Sequence, residues 1–452
     1  MRSVEMVLNQ MRGRGDSPPL DDFGQIEAAS ALGFHRRIGH YEPTPLHSLG
    51  GLASRLGLEK IFIKDESKRF GLNAFKALGG SYAMGRVLAE KLGIPIETVT
   101  FSELASPALR AKIGDATFVT ATDGNHGRGV AWAAQQLGQK AVVFMPKGSA
   151  EARAANIRAT GAECRITEHN YDGAVREAEL FAKSSGAVLV QDMAWEGYEK
   201  IPRWIMQGYL TMAMEIQSQL RDAGEPAPTH VFLQAGNGSF PAAILGGIEA
   251  GLLCCKGEAP PLAIIVEPSE ADCIYKSIQA NDGQPRAITG EMNTLMAGLA
   301  CGKPSSLAWE LIRSFAFAAA SCPDHIAANG MRMLASPVQG DPPIVSGESG
   351  AVTAGFLEWL MSTPDADLVR QKLKLGQKSR VLLISTEGDT SPQTYLDVVW
   401  HGKCPDVRGQ GLGVRVQGLG SGVISCPIAN VINVRSKAAC SKGFHLVTCN
   451  WY

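Results

Sequence analysis

The sequence has no hydrophobic run that approaches the roughly 20 apolar residues needed to cross a bilayer. Its formal net charge is only -1 over 452 residues, which argues against a surface for nucleic acid or for acidic membranes. The first residues, MRSVEMVLNQMRGRGDSPP, lack the apolar core and small-residue cleavage site of a secretory leader. We therefore expect a cytoplasmic protein without nucleic-acid or membrane partners.

Zinc-like spacings are also missing, because the ten cysteines form no CxxC pair and do not alternate with histidines. No metal site is expected, and buried or reduced thiols are the simplest interpretation. The sequence leaves open whether Cys273 and Cys301 pair with each other.

Short apolar segments recur along the chain, and amphipathic stretches separate them. Eight of these segments are predicted strands: KIFIKDE, ATFVTATD, KAVVFMP, ECRITE, AVLVQD, HVFLQAG, LAIIVEP and RVLLIST. Alternation of strands and helices predicts an α/β fold of open parallel sheets with helices on both faces. We expect a large domain from residues 1–85 plus 210–402 and a small domain from residues 86–209. Ligands bind such sheets where strands end and helices begin.

The composition changes abruptly near residue 402. Residues 403–452 hold one acidic residue, Asp406, against six Lys or Arg, and include the Gly-rich run GQGLGVRVQGLGSG. We interpret them as an appendage outside the catalytic unit. A nucleic-acid-binding tail is the alternative, but the basic residues are sparse and no aromatic residues alternate with them.

Four motifs lie at predicted strand-to-helix junctions. In RFGLNAFKALGGSYA, Lys76 can form an imine with an aldehyde cofactor, although this motif alone more often marks an exposed surface lysine. In TATDGNHGRGVAWAA, Asn125 can donate its amide to a phenolate oxygen, or Asp123 or Asn125 can simply cap the helix.

The other two motifs concern a phosphate and a ring nitrogen. In HVFLQAGNGSFP, backbone N–H groups of Gly236, Asn237, Gly238 and Ser239 can surround an anion at a helix N-terminus. No GK[ST] follows, so this is not a Walker loop. In VLLISTEGDTSP, the hydroxyl of Ser385 or Thr386 can hydrogen-bond a pyridine nitrogen, or the motif can be an ordinary strand end.

In their order and spacing, the four motifs resemble the fold type II pyridoxal-phosphate enzymes, which include threonine dehydratase and the tryptophan synthase β subunit. Within that group, residues 30–402 are most similar to the diaminopropionate ammonia-lyases. The matching runs are FKALGGSYA, ATDGNHGRGVAWAA, VQDMAWEGYE, TLMAGLACGKPS, SGESGAV and STEGDT.

The resemblance implies pyridoxal phosphate as the cofactor, with Lys76 as its Schiff-base lysine and Asn125 on its ring oxygen. It places Gly236, Asn237, Gly238 and Ser239 on the phosphate, and Ser385 or Thr386 on the pyridine nitrogen. Asn237 is bulkier than the glycine usual in the dehydratases' phosphate loop.

The implied reaction is α,β-elimination of L- or D-2,3-diaminopropionate, an amino-acid substrate, to pyruvate and two ammonia. Asp123 stands where the dehydratases have a small or hydroxylated residue, and its carboxylate would favour a substrate with an extra ammonium group. Asp192 is the second candidate catalytic carboxylate. A serine/threonine dehydratase or a β-replacement enzyme is the alternative, and the resemblance also implies a homodimer.

Overall fold

The computed structural model describes residues 3–122, 124–254, 257, 259–405 and 415–417. These contain twelve strands. The strands are β1 (Glu5–Leu8), β2 (Leu46–Ser48), β3 (Lys60–Asp65), β4 (Thr117–Ala121), β5 (Lys140–Met145), β6 (Glu163–Ile166), β7 (Val188–Leu189), β8 (His230–Gln234), β9 (Leu262–Pro268), β10 (Ala318–Cys322), β11 (Arg380–Ser385) and β12 (Arg415–Gln417).

Sixteen α-helices connect or flank these strands in the same part of the chain. They are α1 (Gln25–His35), α2 (Gly50–Leu56), α3 (Ala77–Leu92), α4 (Phe101–Leu104), α5 (Pro107–Ile113), α6 (Asn125–Gln136), α7 (Glu151–Arg158), α8 (Tyr171–Ser185), α9 (Lys200–Asp222), α10 (Ser239–Glu249), α11 (Cys273–Ala280), α12 (Ser306–Phe315), α13 (Asp324–Ala335), α14 (Glu348–Ser362), α15 (Asp367–Leu373) and α16 (Pro392–Val399).

An eight-stranded sheet, in the order β12-β1-β10-β9-β8-β11-β3-β2, organises the larger part of the molecule. Its five strands from β10 to β3 are parallel to their neighbours. Residues alternate between the two faces, so Leu382 and Ile384 join one hydrophobic core and Val381 and Leu383 the other. Helices therefore cover both faces, as expected for a buried parallel sheet.

A four-stranded parallel sheet, in the order β6-β5-β4-β7, is built from the chain between Thr117 and Leu189. Helix α6 follows β4 directly, and α8 packs against β4 and β5. The carboxyl end of β4 thus leads straight into the N-terminus of α6, where the Asn125 motif lies.

All eight predicted strands are present, and the predicted α/β architecture is confirmed. The sequence reading overlooked β1, β2, β10 and β12, and the large sheet is not wholly parallel. Strands β1 and β2 pair antiparallel with β10 and β3. Antiparallel strands at or next to the edges of a mainly parallel sheet are common.

Strand β10 was overlooked because AAASC has the low β-propensity of alanine, whereas pairing with β1 and β9 on its two sides determines its conformation. The predicted domain boundaries stay a prediction. Of residues 403–452, the structure describes 403–405 and the short strand β12, which pairs with β1. The remainder of that predicted tail lies outside the described residues.

Two further observations concern the described residues alone. None of their helices combines the length and apolar character that crossing a membrane requires. Their cysteines form no disulfide bond, so Cys273 and Cys301 are not joined.

Candidate active site

Lys76 immediately precedes α3, and two neighbouring helices approach it closely because glycines face it. A Cβ on Gly129 of α6 would lie 2.9 Å from the Ala77 nitrogen and 3.0 Å from the Lys76 carbonyl carbon. A Cβ on Gly208 of α9 would lie 2.6 Å from the Leu78 carbonyl oxygen. Since real Cβ atoms do not pack this close to backbone, only glycine allows both helices to enclose the first turn of α3.

The Lys76 ammonium forms an ion pair with Asp192, with 2.5 Å between Nζ and Oδ2. The lysine side chain is 19% exposed and the aspartate 5%. Burial by itself lowers the pKa of Lys76, but the Asp192 carboxylate outweighs it and the pKa is raised above its ordinary value. Lys76 Nζ also lies 5.4 Å from the centre of the Phe75 ring, a favourable cation–π distance.

Asp192 follows β7 and is held from several sides. Asn237 Nδ2 donates to its Oδ1 at 3.1 Å, and Ser239 Oγ donates to its backbone oxygen at 2.6 Å. Burial alone raises the pKa of Asp192, but the positive charge of Lys76 outweighs it and lowers the pKa to about 2. Asp192 is therefore a carboxylate at neutral pH.

His126 of α6 lies beside this pair and was not singled out from the sequence. Its Nε2 is 2.8 Å from the Val190 carbonyl oxygen, which can only accept, so Nε2 carries the hydrogen. Its Nδ1 is 3.9 Å from Asp192 Oδ2. Burial lowers the pKa of His126, which keeps the imidazole neutral near pH 7.

The Gly-rich loop joins β8 to α10. Gly238 has φ +92°, a conformation that L side chains rarely adopt, and a Cβ on Gly236 would lie 3.1 Å from Cys301 Sγ. Helix α10 begins at Ser239, whose N–H donates to Asn237 Oδ1 at 2.9 Å. A glycine turn at a helix N-terminus has the backbone dipoles that bind a phosphate.

Asn125, the first residue of α6, donates its amide to Glu387 Oε2 at 2.5 Å. The backbone N–H of Ser349 donates to the other oxygen of that carboxylate at 3.0 Å. Because Glu387 only accepts, it fixes the Asn125 amide nitrogen toward itself and leaves the second N–H for a ligand. Glu387 lies within the STEGDT run, directly after the two hydroxyl residues predicted to contact the cofactor.

The two hydroxyls after β11 have different surroundings. Ser385 Oγ donates to Ser346 Oγ at 2.7 Å and does not line the cavity described below. Thr386 lines that cavity, and its Oγ1 accepts a hydrogen bond from Gln234 Nε2 at 2.7 Å.

One cavity, of about 760 Å³ including its mouth, collects most of the predicted site residues. Its lining includes the predicted residues Lys76, Asn125, Asp192, Gly236, Asn237, Gly238 and Thr386. Ser239 and Ser385 are close behind it but do not line it, and Asp123 lies outside the described residues. The lining also includes residues that were not among the predicted site residues, namely His126, Tyr171, Gln234, Phe240, Cys301 and Glu387.

The cavity suits an organic cofactor with an aldehyde, a heteroaromatic ring and a phosphate. It offers a lysine amine, an anion-binding loop and a neutral hydroxyl. Two buried polar atoms, Gln234 Oε1 and Ser349 Oγ, have no hydrogen-bond partner among the described residues. No group of three potential metal-ligating side chains occurs in that part of the chain.

Comparison with known proteins agrees with this chemistry. Residues 38–387 match the family model described as pyridoxal-phosphate dependent enzyme. A diaminopropionate ammonia-lyase of Salmonella typhimurium is 53% identical over 373 residues, covering 82% of this chain and 91% of the relative.

Solved structures show the same similarity. A holo diaminopropionate ammonia-lyase from Escherichia coli superposes with a TM-score of 0.82 at 48% identity, over 89% of this chain and 98% of the other. The Escherichia coli enzyme in complex with D-serine gives a TM-score of 0.80 at 47% identity, with the same coverage.

Proposed function

Because this chain belongs to the diaminopropionate ammonia-lyase family of pyridoxal-phosphate-dependent enzymes, we propose that it cleaves L- and D-2,3-diaminopropionate. The chain is a pyridoxal-phosphate-dependent lyase. With one water, each substrate molecule yields pyruvate and two ammonia. The observation that carries the proposal is the Lys76–Asp192 ion pair, which faces the same cavity as the glycine loop.

When bound, pyridoxal phosphate supplies an aldehyde that condenses with amines and a ring that accepts the electron pair left at Cα. Lys76 is the amine that holds the cofactor between turnovers. Its Nζ must lose a proton before it can condense, and Asp192 Oδ2, 2.5 Å away, is placed to receive that proton. Asp192 then keeps the proton within reach of the reacting atoms.

Two carboxylates select the substrate. 2,3-Diaminopropionate has one more ammonium group than serine or threonine, and a buried carboxylate such as Asp192 attracts that charge more strongly than bulk water would allow. We assign removal of the Cα proton of the L isomer to Lys76 and Asp192, which would lie on one face of the cofactor ring. Asp123, which precedes Asn125 by two residues, is assigned to the opposite face and to the D isomer.

The remaining predicted residues hold the cofactor. The N–H groups of Gly236, Asn237 and Gly238 would bind the phosphate, and the free Asn125 N–H the ring oxygen. Ser239, also predicted for the phosphate, already donates its N–H to Asn237 Oδ1 and would support the loop instead. Between the two hydroxyls we choose Thr386 for the pyridine nitrogen, because it lines the cavity whereas the Ser385 hydroxyl donates to Ser346.

An absorbance spectrum of the purified protein tests the proposal. We expect an imine band that changes when DL-2,3-diaminopropionate is added, with ammonia and pyruvate appearing in a ratio of two to one. Lys76→Ala should lose both the band and turnover, whereas Lys147→Ala, whose side chain is 69% exposed, should keep both. Turnover by Lys76→Ala near the wild-type rate would refute the assignment.

The second candidate is a serine/threonine dehydratase or a β-replacement enzyme of the same fold. The similarity to an ammonia-lyase solved with D-serine makes D-serine the first alternative substrate to test. A panel of diaminopropionate, serine and threonine isomers, with pyruvate and 2-oxobutyrate measured, distinguishes these activities. A kcat/KM for D-serine above that for both diaminopropionate isomers would favour the dehydratase.

The family resemblance also supports a homodimer and a cytoplasmic location. It supports a large domain of residues 1–85 plus 210–402, a small domain of residues 86–209, and an accessory tail of residues 403–452. Sedimentation velocity tests the dimer, and fractionation of the source cells tests the location. Limited proteolysis should cut near residue 402 if the tail is accessory. Residues 86 and 209 lie within helices α3 and α9, so hydrogen exchange compared between the two parts tests that division instead. Removal of 403–452 should leave the turnover rate unchanged, while loss of β12 lowers solubility.

A further inference from the structure

Gln234, the last residue of β8, contacts the Thr386 side chain at the floor of the cavity. It is 1% exposed, and its Nε2 donates to the Ile384 carbonyl oxygen at 2.9 Å and to Thr386 Oγ1 at 2.7 Å. Strands β8 and β11 are neighbours in the sheet, so both residues sit at adjacent carboxyl ends. The pairing of β8 with β11 therefore places the two side chains in contact.

The orientation of the Gln234 amide follows from its partners. The Ile384 oxygen can only accept, so the amide nitrogen, not the oxygen, must face it. An amide nitrogen has two hydrogens, and these two contacts use both. The amide oxygen Oε1 is left buried without a partner among the described residues. A flipped amide would place two acceptors against each other, so the observed orientation is retained despite that unpaired oxygen.

This orientation fixes the role of the Thr386 hydroxyl. A hydroxyl has one hydrogen, and an oxygen that accepts from Gln234 must direct that hydrogen elsewhere. Within the part of the chain that the structure describes, Gln234 is the only side chain hydrogen-bonded to Thr386 Oγ1. Since Thr386 lines the cavity, its hydrogen is available to a ligand there.

We propose that Gln234 is a positioning residue that makes the Thr386 hydroxyl an obligatory hydrogen-bond donor to the cofactor's ring nitrogen. The inference rests on the proposed function, which places pyridoxal phosphate in this cavity. A nitrogen that accepts a hydrogen bond from a neutral hydroxyl keeps its lone pair and is not protonated. Gln234 therefore limits how strongly the ring withdraws electrons, which suits elimination of a β-amino group.

Ring-¹⁵N-labelled pyridoxal phosphate gives a direct readout, because the ¹⁵N chemical shift separates protonated, hydrogen-bonded and unbonded pyridine nitrogen. The holoenzyme should show a hydrogen-bonded, unprotonated nitrogen. Thr386→Ser should retain this signal because the hydroxyl remains, and Thr386→Val should lose it. These two variants give the ¹⁵N chemical shifts expected with and without the hydrogen bond from residue 386.

Gln234→Glu is the decisive variant. A carboxylate accepts hydrogen bonds, so Thr386 would donate to it and turn its hydrogen away from the ring. We expect the ¹⁵N signal to move to the Thr386→Val position and kcat/KM to fall about tenfold, as for one lost hydrogen bond. The double variant with Thr386→Val should change nothing further, because both substitutions remove the same contact.

One control and one replacement variant complete the test. Gln207→Glu changes another buried glutamine, which does not line the cavity, and should leave the ¹⁵N signal unchanged. Should Gln234→Glu not fold by circular dichroism, Gln234→Leu replaces it, since the freed Ile384 oxygen would then compete for the Thr386 hydrogen. A folded Gln234 variant with the wild-type ¹⁵N signal would overturn the inference, whereas a wild-type protein without an imine band would overturn the proposed function instead.

Discussion

Lys76 Nζ and Asp192 Oδ2, 2.5 Å apart, connect two separate sheets of the molecule. Lys76 immediately precedes α3 and follows Ala74, which forms a bridge with Glu387 just after β11 of the eight-stranded sheet. Asp192 follows β7 of the four-stranded sheet. Each residue moves the other's pKa in the direction that keeps both charged. The site therefore depends on how the two sheets are held together.

Asp192→Asn should show whether the site needs the negative charge of Asp192, because asparagine keeps the shape of the side chain and removes its charge. Without the carboxylate the largest remaining influence is burial, which lowers the pKa of Lys76, so that pKa should fall. We expect the imine band to persist and kcat for the L isomer to fall about 10²- to 10⁴-fold, the usual contribution of a general base. Steady-state kinetics on each isomer provides the measurement. Unchanged kcat for the L isomer would show that Asp192 does not move the proton.

Asp123→Asn should affect the other isomer. Its neighbours Thr122 and Asn125 line the cavity, although Asp123 itself lies outside the described residues. We expect kcat/KM for D-2,3-diaminopropionate to fall far more than that for the L isomer, while the absorbance of the bound cofactor stays the same. Equal small losses for both isomers would contradict its role as a base.

The predicted positions of strands and helices are confirmed where a local pattern carries the information. Lys76, Asn125 and the Gly236–Ser239 loop each stand at a strand-to-helix junction, and the fold brings such junctions together at the carboxyl ends of strands. The eight apolar segments are strands in the structure because their pattern is likewise local. Local pattern and long-range packing agree at these positions.

Residues whose role depends on a distant partner could not be identified in this way. Glu387 is defined by its bond to Asn125, 262 positions earlier, and Gln234 by its bond to Thr386, 152 positions later. The choice between Ser385 and Thr386 likewise required knowledge of which side chain faces the cavity. A strand alternates its faces, but the sequence alone does not say where the last residue turns.

Gly129→Ala should distort the site because the added methyl group pushes the backbone of α6 away from that of Ala77. The added Cβ would lie 2.9 Å from the Ala77 nitrogen, so α6 must move away from Lys76. We expect a loss of about 1–3 kcal/mol in the free energy of unfolding and weaker cofactor binding, because overpacking shifts the lysine. Urea denaturation and a cofactor titration measure the two effects.

Gly33→Ala is the matched control, since Gly33 also lies within a helix but a Cβ there would meet only the end of Arg37, at 3.8 Å. It should stabilise the protein by up to about 1 kcal/mol through helix propensity. If Gly129→Ala behaved like Gly33→Ala, close helix contact would not be what positions Lys76.

His35 should make stability depend on pH. It is fully buried between α3 and α9, with Nε2 3.0 Å from the Leu78 oxygen and Nδ1 2.7 Å from Thr211 Oγ1. Burial, followed by the positive charge of Arg69, lowers the pKa of His35 from 6.5 to about 3. Between these values the unfolded chain binds a proton that the folded protein does not, so the free energy of unfolding decreases as the pH falls. One such group contributes at most about 1.4 kcal/mol per pH unit.

His35→Gln should lower the free energy of unfolding at pH 7 by about 1–3 kcal/mol, because one of the two buried hydrogen bonds is lost. It should also flatten the decline in stability from pH 6.5 to pH 4, since glutamine does not titrate. Urea denaturation at several pH values measures both, with His401→Gln, an exposed histidine, as the control. An unchanged slope in His35→Gln would mean that other groups cause the acid sensitivity. A flattened slope would show that the helix contact behind Lys76 requires a neutral imidazole.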